Sequence, residues 1–167
     1  MNTTLTFGIA ALLIGGGATL FMDFWAALQK RLFGLKPLDY RLLGRWIGHL
    51  RHGRFMHENI IAAPPVRSEA ALGWFAHYLT GVAFATVLLA VWGLEWARNP
   101  TPGPALLVGI ATVAAPFLIL QPGMGAGIAA RRTPRPNVSR LRSFITHLSF
   151  GIGLYAAALV TAAVLPI

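Results

Sequence analysis

The stretch that decides the fold is residues 5–28, which read LTFGIAALLIGGGATLFMDFWAAL. It holds one charge, Asp23, and is long enough for a helix to cross a hydrocarbon core, which takes about 20 residues. Three more apolar runs follow, over residues 73–95, 104–130 and 143–165. Backbone polar groups in lipid must be satisfied within their own segment, so each run is predicted to be a helix. The sequence therefore predicts an all-α integral membrane fold with four transmembrane helices, in a single domain over residues 1–167.

The composition supports the same class of protein. Of the 167 residues, 56% are hydrophobic and 11% are charged, whereas soluble domains carry about 25% charged residues. The chain has no cysteine, which excludes disulfides, thiolate metal sites and cysteine nucleophiles. The net charge of +9 is accompanied by no nucleic-acid recognition motif, so no nucleic-acid partner is expected.

The positive charges are distributed unevenly among the connections between the spans. Of the 14 Lys and Arg residues, eight lie between the first and second spans and five between the third and fourth. Only Arg98 lies between the second and third spans. Positive loops stay in the cytoplasm, so both termini are predicted to lie outside, in a multi-pass protein of the bacterial inner membrane.

The first basic loop contains an amphipathic segment over residues 40–52. Apolar residues recur there at helical spacing, and Arg and His residues occupy the other side. This pattern predicts an interfacial helix lying against anionic lipid headgroups. The residues predicted to contact headgroups are Arg41, Arg45, Trp46, Arg131 and Arg132.

The third span ends in an unusual run, LQPGMGAGIAA. Its helix-weakening residues are Pro122, Gly123, Gly125 and Gly127. A broken helix is tolerated where its backbone lines a cavity or is buried in protein. The alternative is close helix packing, since residues 123 and 127 form a small-xxx-small pair.

Three ionisable residues lie within the spans: Asp23, His77 and His147. The predicted topology brings them to a similar depth beneath the cytoplasmic surface, and Gln121 is a fourth polar contributor. Carboxylates in hydrocarbon are costly and need a partner. Such a cluster could be a structural hydrogen-bond network, a proton or ion relay, or a site that ligates a metal or haem.

A second histidine group lies in the first loop, within HLRHGRFMHE. Its members could hold a metal, but an interfacial helix in contact with headgroups explains the same residues. The weak metal-ligand candidates are His49, His52, His57 and Glu58.

Several stretches carry a resemblance to a known family. They are GATLFMDFWAALQKRLFG (17–34), GRWIGHLRHGRFMHENI (44–60), GWFAHYLTGVAFA (73–85), QPGMGAGIAARRTPRPN (121–137) and FITHLSFGIGLY (144–155). Together they resemble a bacterial family of small inner-membrane proteins of unknown function. The resemblance implies a four-span membrane fold and no particular activity. Asp23, His77, His147 and Gln121 fall in the matching stretches.

Three classes of function follow from these observations. No nucleophile elbow, phosphate loop or zinc-protease motif is present, so an enzyme is not favoured. The favoured class is a non-catalytic subunit or scaffold of a membrane assembly. One alternative is a small proton-coupled or ion transporter, which with four spans would be a homo-oligomer. The other is a haem- or metal-binding membrane protein.

Overall fold

The computed structural model describes residues 2–165 and contains five long helices in that range. They are α1 (Thr3–Phe33), α2 (Tyr40–Leu50), α3 (Glu69–Arg98), α4 (Pro102–Met124) and α5 (Pro136–Val164). The described residues contain no strand. All of these helices except α2 are long and apolar enough to cross a membrane, with mean hydropathies between 1.6 and 2.1. The predicted all-α fold with four such helices is confirmed.

The helix ends are set by local sequence. Asn2 caps α1 by accepting a hydrogen bond from the Thr4 amide at 3.0 Å. At the other end, Gly34 adopts a left-handed conformation (φ 66°) and its N–H donates to the Lys30 carbonyl. The basic residues Lys30 and Arg31 in the last turn complement the negative end of the helix dipole.

Helix α4 is irregular in its second half. It starts with Pro102 and is α-helical to Ala111, then forms a π-helical turn over Pro116–Leu120 and a last turn over Gln121–Met124. Pro116 has no N–H to donate, so the regular hydrogen-bond ladder is interrupted where the wider turn begins. Helix α4 as a whole thus ends at Met124, inside the run predicted over residues 104–130.

The chain divides into two compact units. The first, unit 1, comprises residues 2–36, 78–112 and 146–165, and the second, unit 2, comprises residues 37–77 and 113–145. The core of unit 1 is built from buried Ile14, Leu88, Leu89 and Leu154, with alanines between them. Unit 2 contains α2, the start of α3 and the irregular end of α4.

Small residues allow the helices of unit 1 to approach one another closely. A Cβ on Gly15 of α1 would lie 2.5 Å from the Cα of Val82 in α3. A Cβ on Gly109 of α4 would likewise lie 2.5 Å from the Cα of Gly151 in α5. Helices in lipid associate through van der Waals packing at such positions, so these contacts hold α1 against α3 and α4 against α5.

Candidate functional site

In unit 2, the backbones of α2 and α3 are in direct contact. A Cβ on Gly44 would overlap the carbonyl oxygen of Glu69, and one on Gly73 would overlap the carbonyl oxygen of Tyr40. One turn further along α2, a Cβ on Gly48 would lie 2.7 Å from the side chain of Val66. Only glycine fits where α2 and α3 cross. Because these glycines have no side chain, the two helices lie close enough for their polar groups to meet.

Arg45 joins α2 to α3 through a bidentate ion pair. Its Nε and Nη2 each donate at 2.9 Å to a different carboxylate oxygen of Glu69. Its Nη1 donates to the carbonyls of Ile61 and Ala63 at 3.0 and 3.1 Å. The hydrogen bonds that Arg45 donates to Glu69 raise the pKa of Arg45 above its ordinary value, so the guanidinium stays charged. The headgroup contact predicted for Arg45 stays a prediction, but its donors point at protein acceptors.

Three successive hydrogen-bond contacts join His49 and His57 to each other and to two backbone carbonyls. His49 is 7% exposed, and its Nε2 lies 3.0 Å from the carbonyl oxygen of Pro64. Its Nδ1 lies 2.7 Å from Nε2 of His57. The Nδ1 of His57 lies 3.1 Å from the carbonyl oxygen of Gly123, at the end of α4. Two of the four predicted metal-ligand candidates are thus brought into direct contact.

Trp46 covers the broken end of α4. Its indole Nε1 donates to the carbonyl of Phe55 at 2.9 Å, and a Cβ on Gly123 would lie 2.5 Å from the same nitrogen. The next glycine, Gly125, has φ 98° and packs against the carbonyl of Glu58. Glycines at the predicted break therefore allow close packing within unit 2 as well as a left-handed turn.

The backbone after the break is unusual for residues with a side chain. Gly127 has φ 73°, and Ala129 and Ala130 have φ 48° and 58°. Non-glycine residues seldom occupy this region, and each costs about 1–3 kcal/mol that neighbouring interactions must offset. Arg140 donates to the Ala129 carbonyl at 2.8 Å and Thr133 donates to that of Ala130 at 2.8 Å, which fixes this turn.

The polar residues of the spans in unit 1 have partners within that unit. The hydroxyl of Tyr78 in α3 donates to Oδ2 of Asp23 in α1 at 3.1 Å. Thr112 Oγ1 lies 2.6 Å from the Gly109 carbonyl and 2.9 Å from His147 Nδ1. The carbonyl can only accept, so the hydroxyl proton is directed to it and His147 donates from Nδ1.

The other two predicted site residues belong to unit 2. His77 is 9% exposed and stacks on the ring of Tyr40, with 4.1 Å between the centroids. The rings of His77 and Trp74 are in a T-shaped arrangement, with 5.9 Å between their centroids. Gln121 follows the π-helical turn and donates from Nε2 to the hydroxyl of Ser143 at 3.1 Å. Its Oε1 is buried without a hydrogen-bond partner among residues 2–165. That the three ionisable residues share one depth stays a prediction.

The importance of the Thr112 hydroxyl can be tested by Thr112→Val. The variant loses both contacts of Oγ1 and leaves His147 Nδ1 facing a methyl group, so we expect a loss of about 1–2 kcal/mol in unfolding free energy. The matched control is Thr86→Val, because the Thr86 hydroxyl donates to the Val82 carbonyl of its own helix. The measurement is denaturant unfolding in detergent micelles, and equal losses in both variants would contradict a special role for Thr112.

The side chains of the remaining predicted site residues make none of the hydrogen bonds described above. His52 accepts from Arg51 Nε at 3.0 Å, and Glu58 is exposed. Arg41 pairs with Asp39 at 2.7 Å and lowers the pKa of that carboxyl below its ordinary value. Within the part of the chain that the structure describes, no group of three or more His, Asp or Glu side chains could hold a metal ion. The exposed headgroup candidates in the second basic loop are Arg131 and Arg132.

Several residues of these sites were not anticipated from the sequence. Glu69 lies at a helix end, where polar side chains are ordinary, and Ser143, Thr112 and Tyr78 carry no charge. The close packing of α2 could have been predicted from Gly44 and Gly48, since small residues four apart on a helix indicate close packing.

These helices and their internal hydrogen bonds define a multi-pass helical membrane protein. The chain belongs to the family described as Protein of unknown function (DUF2938), whose model matches residues 12–161. This confirms the predicted membership of an uncharacterised family. Neither a curated protein nor a solved structure gave a match.

Proposed function

We propose that this chain is a non-catalytic subunit or scaffold of a membrane assembly in the bacterial inner membrane, with both termini outside. One observation carries the proposal. The polar side chains of the spans are bonded to near neighbours of the same unit, as Asp23 is to Tyr78 and His147 is to Thr112. Hydrogen bonds between neighbouring helices fix the register of those helices, and a fixed register is what a scaffold requires.

The first basic loop supports contact with anionic lipid headgroups. Phe55, Met56 and Ile61 are 64–68% exposed, although the backbone around them is held by Trp46 and by the end of α4. The exposed residue Arg54 directly precedes Phe55, and the exposed residue Arg51 lies three residues before Arg54. Apolar side chains that enter the acyl boundary, next to arginines that bind headgroups, are typical of segments at the membrane surface.

A proton-coupled transporter is the second candidate function, and Asp23 is the observation that favours it. An ionisable residue within a span often marks an ion or proton pathway. Its hydrogen-bond partner Tyr78 is itself a titratable group on a neighbouring helix. The two functions differ in what the charge of Asp23 does, because a relay needs a group that gains and loses a proton.

The variant Asp23→Asn separates these functions. The amide can still accept from Tyr78, so a scaffold should keep its fold and the size of its native complex in mild detergent. We expect wild type and variant to migrate as the same complex, larger than the chain alone, and neither to conduct protons into liposomes containing a pH-sensitive dye. Tyr78→Phe is the matched control, since it removes the same hydrogen bond and leaves the carboxylate. Proton conduction that Asp23→Asn abolishes while Tyr78→Phe retains it would establish the transporter instead.

A further inference from the structure

The second basic loop carries positive charge that no nearby carboxylate neutralises. Residues 113–145, the later segment of unit 2, contain five Arg and no Asp or Glu, and neither residue type follows Glu95 in the chain. One of the five, Arg140, donates to the Ala129 carbonyl at 2.8 Å. The guanidinium groups of the other four make no hydrogen bond or ion pair with residues 2–165. These four are Arg131, Arg132, Arg135 and Arg142.

The acidic residues of the earlier segment of unit 2 do not compensate for this charge. Asp39 pairs with Arg41, and Glu69 pairs with Arg45. Glu58 is exposed and forms no ion pair within the part of the chain that the structure describes. Unit 2 contains ten Arg, no Lys and three acidic residues, which gives it a net charge of +7 with His neutral. Charge therefore favours an anionic ligand for this unit.

Two of the arginines without a protein partner are held in position by a backbone turn. A Cβ on Gly127 would lie 2.9 Å from Cγ of Arg131 and 3.0 Å from Cγ of Arg132, so both stems pack against this glycine. The backbone N–H of Arg131 donates to the Ile128 carbonyl at 3.1 Å, and that of Arg132 donates to the Ala126 carbonyl at 2.8 Å. Both residues are exposed. Their guanidinium groups thus extend from one fixed turn, which lowers the entropy that binding would cost.

We propose that residues 127–132, together with Arg135 and Arg142, bind the headgroup of an anionic phospholipid. The planar guanidinium group donates two parallel hydrogen bonds to phosphate oxygens. Exposed apolar side chains lie within and beside the same turn, since Ile128 is 48% exposed and Val138 and Leu141 in α5 are 44% and 59% exposed. Apolar side chains next to basic ones are typical of segments that contact both headgroups and acyl chains. A lipid therefore fits these residues better than a free phosphate ion does.

This headgroup site rests on the proposed function in one respect, the position of the second basic loop on the cytoplasmic side. Anionic lipids there attract basic residues close to the membrane surface. The headgroup site extends the proposed function, because it assigns a lipid to one defined turn that lies outside the first basic loop. Its test uses the isolated chain and its lipids, so a failure would leave unchanged the size of the complex by which the scaffold is tested.

Native mass spectrometry of the full-length chain in a neutral detergent tests the headgroup site, with phosphatidylglycerol as the probe. We expect the wild type to bind this lipid more tightly than phosphatidylcholine with the same acyl chains. Soluble glycerol phosphate should not displace it. The double variant Arg131→Gln, Arg132→Gln keeps the Cγ atoms that pack on Gly127 and removes both charges. Its affinity for phosphatidylglycerol should fall about 25-fold, at about fivefold for each basic residue near an anionic surface.

The matched control is the double variant Lys36→Gln, Arg67→Gln, which removes two exposed charges of the first basic loop that also lack a partner among residues 2–165. It should keep most of the wild-type affinity. Equal losses in the two double variants would overturn the proposal, because net charge and not the turn would then determine binding.

Two further outcomes would overturn the headgroup site, and both come from the wild type and need no variant to fold. Equal affinity for the two lipids would exclude recognition of an anionic headgroup and leave an acidic protein as the partner of these arginines. Displacement of the lipid by glycerol phosphate would show that the arginines bind a soluble phosphate compound without any contribution from the acyl chains.

Discussion

Replacement of Gly44 by alanine is expected to destabilise unit 2 by about 3 kcal/mol or more, the upper end of the cost of overpacking. The added Cβ would overlap the Glu69 carbonyl oxygen and lie 2.7 Å from the Gly73 nitrogen. Both are backbone atoms, so no side-chain rotation can relieve the overlap. Helix α2 must move away from α3, and the bonds that Arg45 makes across this contact would lengthen with it.

The Gly44→Ala variant can be followed by tryptophan fluorescence during unfolding in detergent, because Trp46 lies two residues away in α2. Gly73→Ala should give a similar loss, since its Cβ would overlap the carbonyl oxygen of Tyr40. Gly16→Ala in α1 is the control, as nothing lies within 4 Å of the position its Cβ would take. A Gly44→Ala chain that unfolds with the wild-type free energy would show that α2 does not pack on α3 in this way.

The spans could be predicted from the sequence because they depend on quantities that are local in the chain. A run of about 20 apolar residues must be helical in lipid whatever it packs against. For the same reason, Pro122 and its neighbouring glycines predicted a weakened or closely packed helix at the end of the third span, whereas the π-helical turn over Pro116–Leu120 was not predicted. Helix α2 followed from its apolar periodicity, and its place at a membrane interface stays a prediction.

The partners of the polar residues could not be predicted, since they depend on which helix faces meet. Asp23 and Tyr78 are 55 residues apart, and Thr112 and His147 are 35 apart. Arg45 shows the difference most clearly. Its position on the polar side of an amphipathic helix favoured contact with headgroups, but periodicity gives only the side of the helix. Glu69, 24 residues further along the chain, supplies the partner.

The Arg45 and Glu69 pair leads to the second large prediction. Their side chains are 14% and 15% exposed, so removal of one partner leaves a charge that water reaches poorly. The pair is half-buried, so we expect Arg45→Gln to lower the free energy of unfolding by about 2 kcal/mol, between the cost of breaking an exposed pair and that of breaking a buried one. Arg45→Lys should recover little of it, because a single ammonium group cannot make the two parallel bonds or reach the Ile61 and Ala63 carbonyls together.

The comparison with an exposed pair makes this test specific. Arg41 and Asp39 also form a close ion pair, but their side chains are 63% and 40% exposed, so Arg41→Gln should change stability little. The double variant Arg45→Met, Glu69→Leu removes both charges of the half-buried pair, and we expect it to be more stable than Arg45→Gln alone. Denaturant unfolding of the wild type, Arg45→Met, Glu69→Leu and the double variant gives the coupling energy directly. If Arg45→Gln and Arg41→Gln cost the same, the ion pair between α2 and α3 is no more than a surface contact, and the anchoring of α2 depends on its glycines alone.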